Sequence, residues 1–430
     1  MVGAGSQTLS KRAAQSASKP LAPYFQAVLR LSARLWTPED PEGNLIMAIA
    51  ENRLSCNLLL DKLCSSGTSM PMDVFYYQDM RGIARLRAAL AGLLQQSFMQ
   101  GVPVDPDHII VSSGCGAVLD NLFYTIADAG DSILILAPYY PAFDNDLWAK
   151  NHVVAVPVHM QDNGGLAAQL DAAAARAASE GHPARGLLLT NPNNPDGRVY
   201  PRGELLEMLR WCVKNGVHLI SDEIYGNSIF KPCEFVSMAA LVEAEGAAAG
   251  PCARDLVHVV FGLSKDWCAS GLRVGALLTQ NKQLHALFMN LTYFCAVPNH
   301  TQYAVAAMLE DQAFVADFLA QNARRLGQAY GTLAGALDAV GVPYSPAVGA
   351  MFAWVDLRQA LTEPTWEAEM AFWRRLVDEQ GLVITPGKDC HAAQPGFFRI
   401  CYAWMPAAAI PVATLTDMDA GYALKWIYDE

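Results

Sequence analysis

Seven short apolar runs between residues 109 and 278 limit this chain more than any other feature. They are Ile109–Val111, Ile133–Leu136, Val153–Val158, Leu187–Leu189, Val217–Ser221, Leu256–Phe261 and Val274–Leu278. Continuous rather than alternating apolarity marks strands that are buried on both faces. Helix-period patterns separate most of them, at Ala117–Ala127, Leu166–Ala178 and Arg202–Asn215. Parallel strands need such crossovers, so the expectation is an α/β fold built on a mainly parallel seven-stranded sheet covered by helices. In open sheets of this kind ligands bind outside the carboxyl ends of the strands.

Past Thr301 the pattern changes. A helical stretch runs over residues 302–340, Met351–Leu357 and Phe397–Tyr402 read as strands, and Trp366–Gln380 reads as a helix. This predicts a smaller α+β domain over 301–430 beside a large domain over 53–300. An N-terminal arm over 21–52 completes the small domain. Residues 1–20 carry Lys11, Arg12 and Lys19, several Ser and Ala and no acid. That composition is similar to a weak transit peptide, and a disordered tail is the expectation.

At 430 residues and 52% apolar content the chain has ample material for a large core. A net charge of −12 argues against nucleic-acid or anionic-membrane partners, and no apolar run approaches a membrane span. The ten cysteines form no CxxC pair and the nine histidines no HxH or HExxH spacing. Reduced thiols in a cytoplasmic protein without a metal site are therefore expected.

The chemistry-bearing residues sit at strand ends. Lys265 follows the run ending at Phe261, and Arg273 follows eight residues later among small residues. A lysine there can be desolvated toward the neutral amine that Schiff-base formation needs, and the arginine can fork onto a phosphate. A surface lysine with a structural arginine is the alternative for this stretch alone. Ser112-Ser113-Gly114-Cys115-Gly116 joins a strand to a helix start, where backbone N–H groups make an anion cup. Pro138-Tyr139-Tyr140-Pro141 offers an aromatic for stacking on a planar ring, or simply a packed turn. Asn191-Pro192-Asn193-Asn194-Pro195 and Ser221-Asp222-Glu223-Ile224-Tyr225 end two further strands. Asp222, if buried, needs a cationic partner, and a pyridinium nitrogen would supply one.

Taken in serial order, these segments resemble the fold-type I pyridoxal-phosphate enzymes of the class I/II aminotransferase group, and within it the 1-aminocyclopropane-1-carboxylate (ACC) synthases. Ala50-Glu51-Asn52-Arg53-Leu54-Ser55, Pro138 to Asp144, Asn191 to Gly197, Ser264-Lys265-Asp266 and Phe398-Arg399-Ile400-Cys401 carry the likeness, which spans about Pro23 to Met405. The resemblance implies pyridoxal 5'-phosphate as cofactor, with Lys265 as Schiff-base lysine and proton shuttle. It implies that Asp222 keeps the ring nitrogen protonated, that Asn194 and Tyr225 bind the ring oxygen, and that Tyr140 stacks. The amides of Cys115 and Gly116, with Arg273, would hold the phosphate, and Gly114 and Ser264 would also belong to the cofactor-binding set. Arg399 would fork onto the substrate α-carboxylate with Asn194 beside it, while Glu51 and Tyr24 would help place S-adenosylmethionine.

The implied activity is Cα deprotonation of S-adenosylmethionine and loss of methylthioadenosine from Cγ, giving ACC or a vinylglycine-type species captured by a nucleophile. An α-amino-acid aminotransferase is the alternative, and a non-catalytic relative a third reading. A homodimer with shared active sites is also implied. The chain departs from the group's pattern at Gly262, usually serine, at Met80-Arg81, usually Tyr-His, and at Lys388-Asp389, usually Ser-Ser.

Overall fold

The computed structural model describes residues 10–17, 19, 22–65, 70–160, 165–406, 413–418 and 421–426. All seven apolar runs become strands of one sheet: β1 Ile109–Ser112, β2 Ser132–Ala137, β3 Val154–His159, β4 Ala184–Thr190, β5 His218–Asp222, β6 Val257–Gly262 and β7 Gly275–Thr279. Their order is β1-β7-β6-β5-β4-β2-β3. The pairs among β2 to β6 are parallel, and β7 alone runs antiparallel to both its neighbours. The sheet is mainly parallel, as the uninterrupted apolarity of its strands requires. Even-numbered and odd-numbered strand positions feed two apolar layers, with Leu187, Leu219 and Val259 on one face and Leu188, Ile220 and Val260 on the other. Each such fully buried side chain contributes about 1.5–3 kcal/mol.

A second core surrounds a four-stranded antiparallel sheet of β8 Tyr344–Ser345, β9 Phe352–Asp356, β10 Thr385–Pro386 and β11 Phe397–Cys401, in the order β10-β11-β9-β8. The N-terminal arm joins this core. Leu45–Ile46 pairs in parallel with Leu382–Val383, and Ala27 and Val28 of the helix Pro23–Leu31 are buried in it.

Two local expectations are revised. The tail expected over residues 1–20 carries a helix, Lys11–Ala17. Ser16 Oγ donates to the Ala149 carbonyl at 2.7 Å and Lys19 Nζ lies 4.0 Å over the Trp148 ring, contacts that no local pattern encodes. Residues 1–9 lie outside those described. The helical stretch over 302–340 is two helices, Asn299–Glu310 and Gln312–Ala339. Asp311 separates them, because its carboxylate accepts from Phe314 N at 3.1 Å and caps the second helix.

Near the start of the central strands, His218 Nδ1 and His258 Nε2 are 2.8 Å apart, and His258 Nδ1 is 2.8 Å from Thr279 Oγ1. Burial holds both imidazoles neutral: it depresses His258 well below the usual range and His218 to about 4. The unfolded chain binds protons at these sites below about pH 6.5, whereas the fold does not. Their contribution to stability is therefore present above that pH and is lost as pH falls toward about 4. His218→Gln should flatten the acid-side fall by up to about 1.4 kcal/mol per pH unit. Urea-unfolding midpoints across that window measure this, and an unchanged slope would show His218 protonated in the fold.

Candidate active site

The C-terminal ends of β4, β5 and β6 face the arm and β11, and the predicted residues converge there. Lys265 follows β6 in a tight turn that is pinned by Leu263 N to the Val274 carbonyl at 3.0 Å and Ala269 N to the Leu263 carbonyl at 3.1 Å. Its Nζ donates to the Ala50 carbonyl of the arm. Burial lowers its pKa, with the Glu51 carboxylate opposing, so the ammonium gives up its proton more readily than an exposed lysine would. Asp222 ends β5, and burial pushes its carboxyl up to about 7, opposed by an Ile224 N–H and the Lys265 charge. Among the described residues it has no ion-pair partner within contact. A cation arriving at this carboxylate would restore its charge.

Arg399 lies on β11 and is only 1% exposed. Its partners are neutral. Nη1 donates to Asn194 Oδ1 at 2.9 Å, and Nη2 to the Ala48 carbonyl at 2.7 Å and Thr385 Oγ1 at 3.0 Å. The guanidinium sits 4.7 Å over the Phe352 ring, and its buried Nε has no partner. The internal carboxylate that a merely structural arginine would need is not among its contacts. Asn194 spans the site, since its Nδ2 also donates to Tyr225 Oη at 3.4 Å. Burial raises the Tyr225 and Tyr140 phenols above their usual range, so both stay protonated. Tyr140 packs edge-on to Phe143 at 5.2 Å between centroids.

At the other end of the site, the helix Cys115–Ile126 starts at Gly114, which has φ 87°. A Cβ there would lie 2.4 Å from Arg273 Nη2, so only glycine leaves the arginine its place beside the helix N-terminus. Arg273 donates to the Ser270 and Ser113 carbonyls at 3.1 and 3.2 Å and remains exposed. It is thus a half-satisfied cation beside free helix N–H groups, suited to a phosphate. Gly116 adds no side chain there, and a Cβ at 116 would meet nothing within 4 Å. The structure accounts for Gly262. A Cβ at 262 would lie 2.8 Å from Cys115 Sγ and 2.8 Å from the Val274 carbonyl. The Cys115 thiol is 3.1 Å from the Phe261 carbonyl, and burial raises its pKa well above the usual value, so it is no thiolate. Ser264 is buried beside Lys265, and its carbonyl accepts from Ser270 Oγ at 2.9 Å.

Two predicted residues stand at the rim. Glu51 Oε2 accepts from Arg53 Nε at 2.8 Å and Trp404 Nε1 at 3.1 Å, so its carboxylate is already engaged. Tyr24, on the arm helix, is near enough for the Arg399 charge to oppose the rise that burial imposes on its phenol. Sequence reasoning does not reach Thr385, Ala48, Phe352 or Asn322. Asn322 accepts from Asn52 Nδ2 at 2.9 Å and donates to the Asp266 carbonyl at 3.1 Å, holding the arm to the lysine turn.

The site therefore offers a buried amine, an unpaired buried carboxylate, a buried phenol and an anion cup with an arginine, a donor set that fits a phosphorylated pyridinium aldehyde. The described residues include no group of three or more His, Cys, Asp or Glu able to hold a metal.

The aminotransferase class I and II family is matched over residues 53–414. An ACC synthase of Glycine max is 34% identical over 420 residues, covering 95% of this chain and 86% of its own length. An ACC synthase of Oryza sativa subsp. japonica is 35% identical over 433 residues, covering 96% and 95%. Among solved structures, a Thermus thermophilus aspartate aminotransferase mutant aligns with a TM-score of 0.72 at 22% identity, covering 94% of this chain and 97% of its own. The Thermotoga maritima aspartate aminotransferase does so with 0.72 at 21%, covering 94% and 97%. The architecture is that of fold-type I enzymes, and the chain belongs to the class I and II aminotransferases as a pyridoxal-phosphate-dependent enzyme.

Proposed function

We propose that this enzyme acts on S-adenosylmethionine, removing the Cα proton and expelling methylthioadenosine from Cγ. The observation that carries a carboxylate-bearing substrate is Arg399, a guanidinium buried among neutral oxygens. ACC synthase relatives at 34–35% identity across nearly the whole chain support the choice of S-adenosylmethionine.

When bound, the cofactor supplies an electron sink conjugated to Cα. Arg399 grips the α-carboxylate by a two-bond fork and fixes Cα over the lysine turn. Lys265, whose pKa burial lowers, takes the Cα proton. Asp222 would face the ring nitrogen, whose positive charge would hold its carboxyl in the ionised form. Tyr225 and Asn194 would hold the ring oxygen, Tyr140 would cover the ring face, and Arg273 with the Cys115 and Gly116 amides would hold the phosphate. The Cα–H electron pair closes a Cα–Cγ bond as the Cγ–S pair leaves on sulfur, giving ACC. With an external nucleophile at Cγ, the same residues yield a γ-substituted amino acid. A transaminase would use the same set but return the proton to the cofactor carbon.

Purified holoenzyme given S-adenosylmethionine should release methylthioadenosine, with ACC or a nucleophile adduct identified by mass spectrometry. Borohydride should fix the cofactor on Lys265, and Lys265→Ala should abolish both results. Formation of a 2-oxo acid alone would replace this reading with the aminotransferase.

Arg399→Lys keeps the charge but cannot form the fork. It should lower kcat/KM by roughly tenfold to a hundredfold, about 1–3 kcal/mol, while cofactor absorbance is unchanged. Wild-type kcat/KM in this variant would remove Arg399 from substrate binding.

We also propose a homodimer. Phe75, Tyr76 and Tyr77 adjoin Asn299, whose Nδ2 donates to the Val74 and Tyr76 carbonyls. Tyr77 is 88% exposed and Phe294 84%. Next to Phe294, the Cys295 carbonyl accepts from Ser113 N at the phosphate cup. An apolar surface bordering an open phosphate site supports a partner copy there. Sedimentation should give twice the chain mass, and Tyr77→Lys with Phe294→Lys should shift it toward monomer with weakened cofactor retention. A fully active wild-type monomer would contradict this.

A further inference from the structure

Apart from the residues assigned to substrate and cofactor, one polar cluster ties the turn carrying Tyr140 to the loop between β10 and β11. Tyr139 is buried, and its hydroxyl donates to Asp144 Oδ1 at 2.7 Å. His391 Nε2 lies 2.7 Å from Asp144 Oδ2, so that nitrogen carries the proton and donates. The Tyr139 and His391 rings stack, with centroids 4.5 Å apart and planes 18° from parallel, and Tyr139 N donates to the Cys390 carbonyl at 2.9 Å. Burial and the Asp144 charge raise the Tyr139 phenol above its usual range, which keeps it a donor. His391 has φ 55°, a conformation uncommon outside glycine, and the two contacts of its ring offset the cost.

Each half of this clasp is anchored in a different core. Tyr139 and Phe143 pack with Leu188 and Ile220 on one face of the large sheet, whereas Cys390 and Ala392 pack against Trp354 of β9. The loop itself is held to the helix Trp366–Gln380, because the buried Glu369 accepts from Lys388 N at 2.8 Å and Gly396 N at 2.7 Å. It therefore keeps its place relative to β10 and β11, whose Thr385 and Arg399 are paired in register. We propose that His391 is a positioning residue for the reaction, fixing through Asp144 and Tyr139 the spacing between Tyr140 and Arg399. One side of the clasp carries the phenol that covers the ring, and the other the guanidinium that takes the carboxylate. Their spacing sets how Cα sits over Lys265, so a loose clasp misplaces the reacting atoms. The inference rests on the roles proposed for Tyr140 and Arg399, and not on which amino acid is the substrate.

The test compares His391→Asn with His391→Gln. Asparagine tolerates the positive φ but is a methylene too short for Asp144, whereas the glutamine amide still reaches it. Both are assayed as holoenzyme at saturating cofactor, with whichever amino acid the wild type turns over. His391→Asn should lower kcat roughly tenfold with KM within about twofold, because Arg399 keeps its own bonds to Asn194, Ala48 and Thr385. The visible circular dichroism of the bound cofactor reports ring orientation without any substrate, and it should fall while absorbance stays. His391→Gln should restore most of both signals. Adding Asp144→Asn to His391→Asn should cost little more than the worse single change. Unfolding temperatures establish that the variants fold, and if His391→Asn does not, Asp144→Asn carries the same readouts. Wild-type kcat and circular dichroism in folded His391→Asn would overturn the proposal, as would a loss that His391→Gln shares in full. Failure of S-adenosylmethionine to react would remove the substrate reading and leave this test standing.

Discussion

The guanidinium of Arg399 joins the two cores and the arm. Its acceptors come from the arm (Ala48), from β10 (Thr385) and from the loop after β4 (Asn194), while β9 supplies the ring of Phe352 beneath it. Hydrogen bonds from a charged donor contribute about 1.5–3 kcal/mol each, and a desolvated cation–π contact about 2. Those gains offset a desolvation penalty of several kcal/mol per ion. They leave a positive charge in a dry site with no anion to answer it. Such an arrangement binds a carboxylate without first having to break an internal ion pair.

The same burial acts on Lys265 and Asp222 in opposite chemical directions. It lowers the ammonium and raises the carboxyl to about 7, so each is driven toward its uncharged form. An amine that burial makes easier to deprotonate is better placed to serve as a base. A carboxyl that is expensive to ionise becomes a strong partner for any cation entering its place. Position in the sheet is the common cause, because both residues sit at carboxyl ends of strands that are buried on both faces.

That common cause also decides what is legible in the sequence. Lys265, Asp222 and Asn194 each follow an apolar run closely, so local pattern places them at one edge of one sheet. Gly114 is legible through its strand–glycine–helix turn. Thr385 is not: it meets Arg399 only because the two are paired in register across β10 and β11. Ala48 contributes a backbone carbonyl, which side-chain chemistry cannot announce. The break at Asp311 escapes as well, because apolar periodicity continues through it and only the capping bond to Phe314 N reveals it. Residues whose role rests on local geometry can be read from the chain, and those that act through register or backbone contact cannot.

The phosphate end shows how one substitution is absorbed by another. Gly262 removes a side chain that could have faced an anion, and the Cys115 thiol occupies the adjoining space, with its Sγ 2.8 Å from where a Cβ would stand. Returning a serine to 262 would therefore force Cys115 and the Val274 carbonyl apart rather than restore a contact. With no side chain at 262 and Arg273 exposed, the groups left free for an anion there are that guanidinium and the N–H groups of the helix N-terminus. Asp222, Tyr225, Asn194 and Lys265, by contrast, are all buried. The ring end of the site is thus enclosed by buried side chains, whereas the phosphate end rests on an exposed arginine and a helix N-terminus.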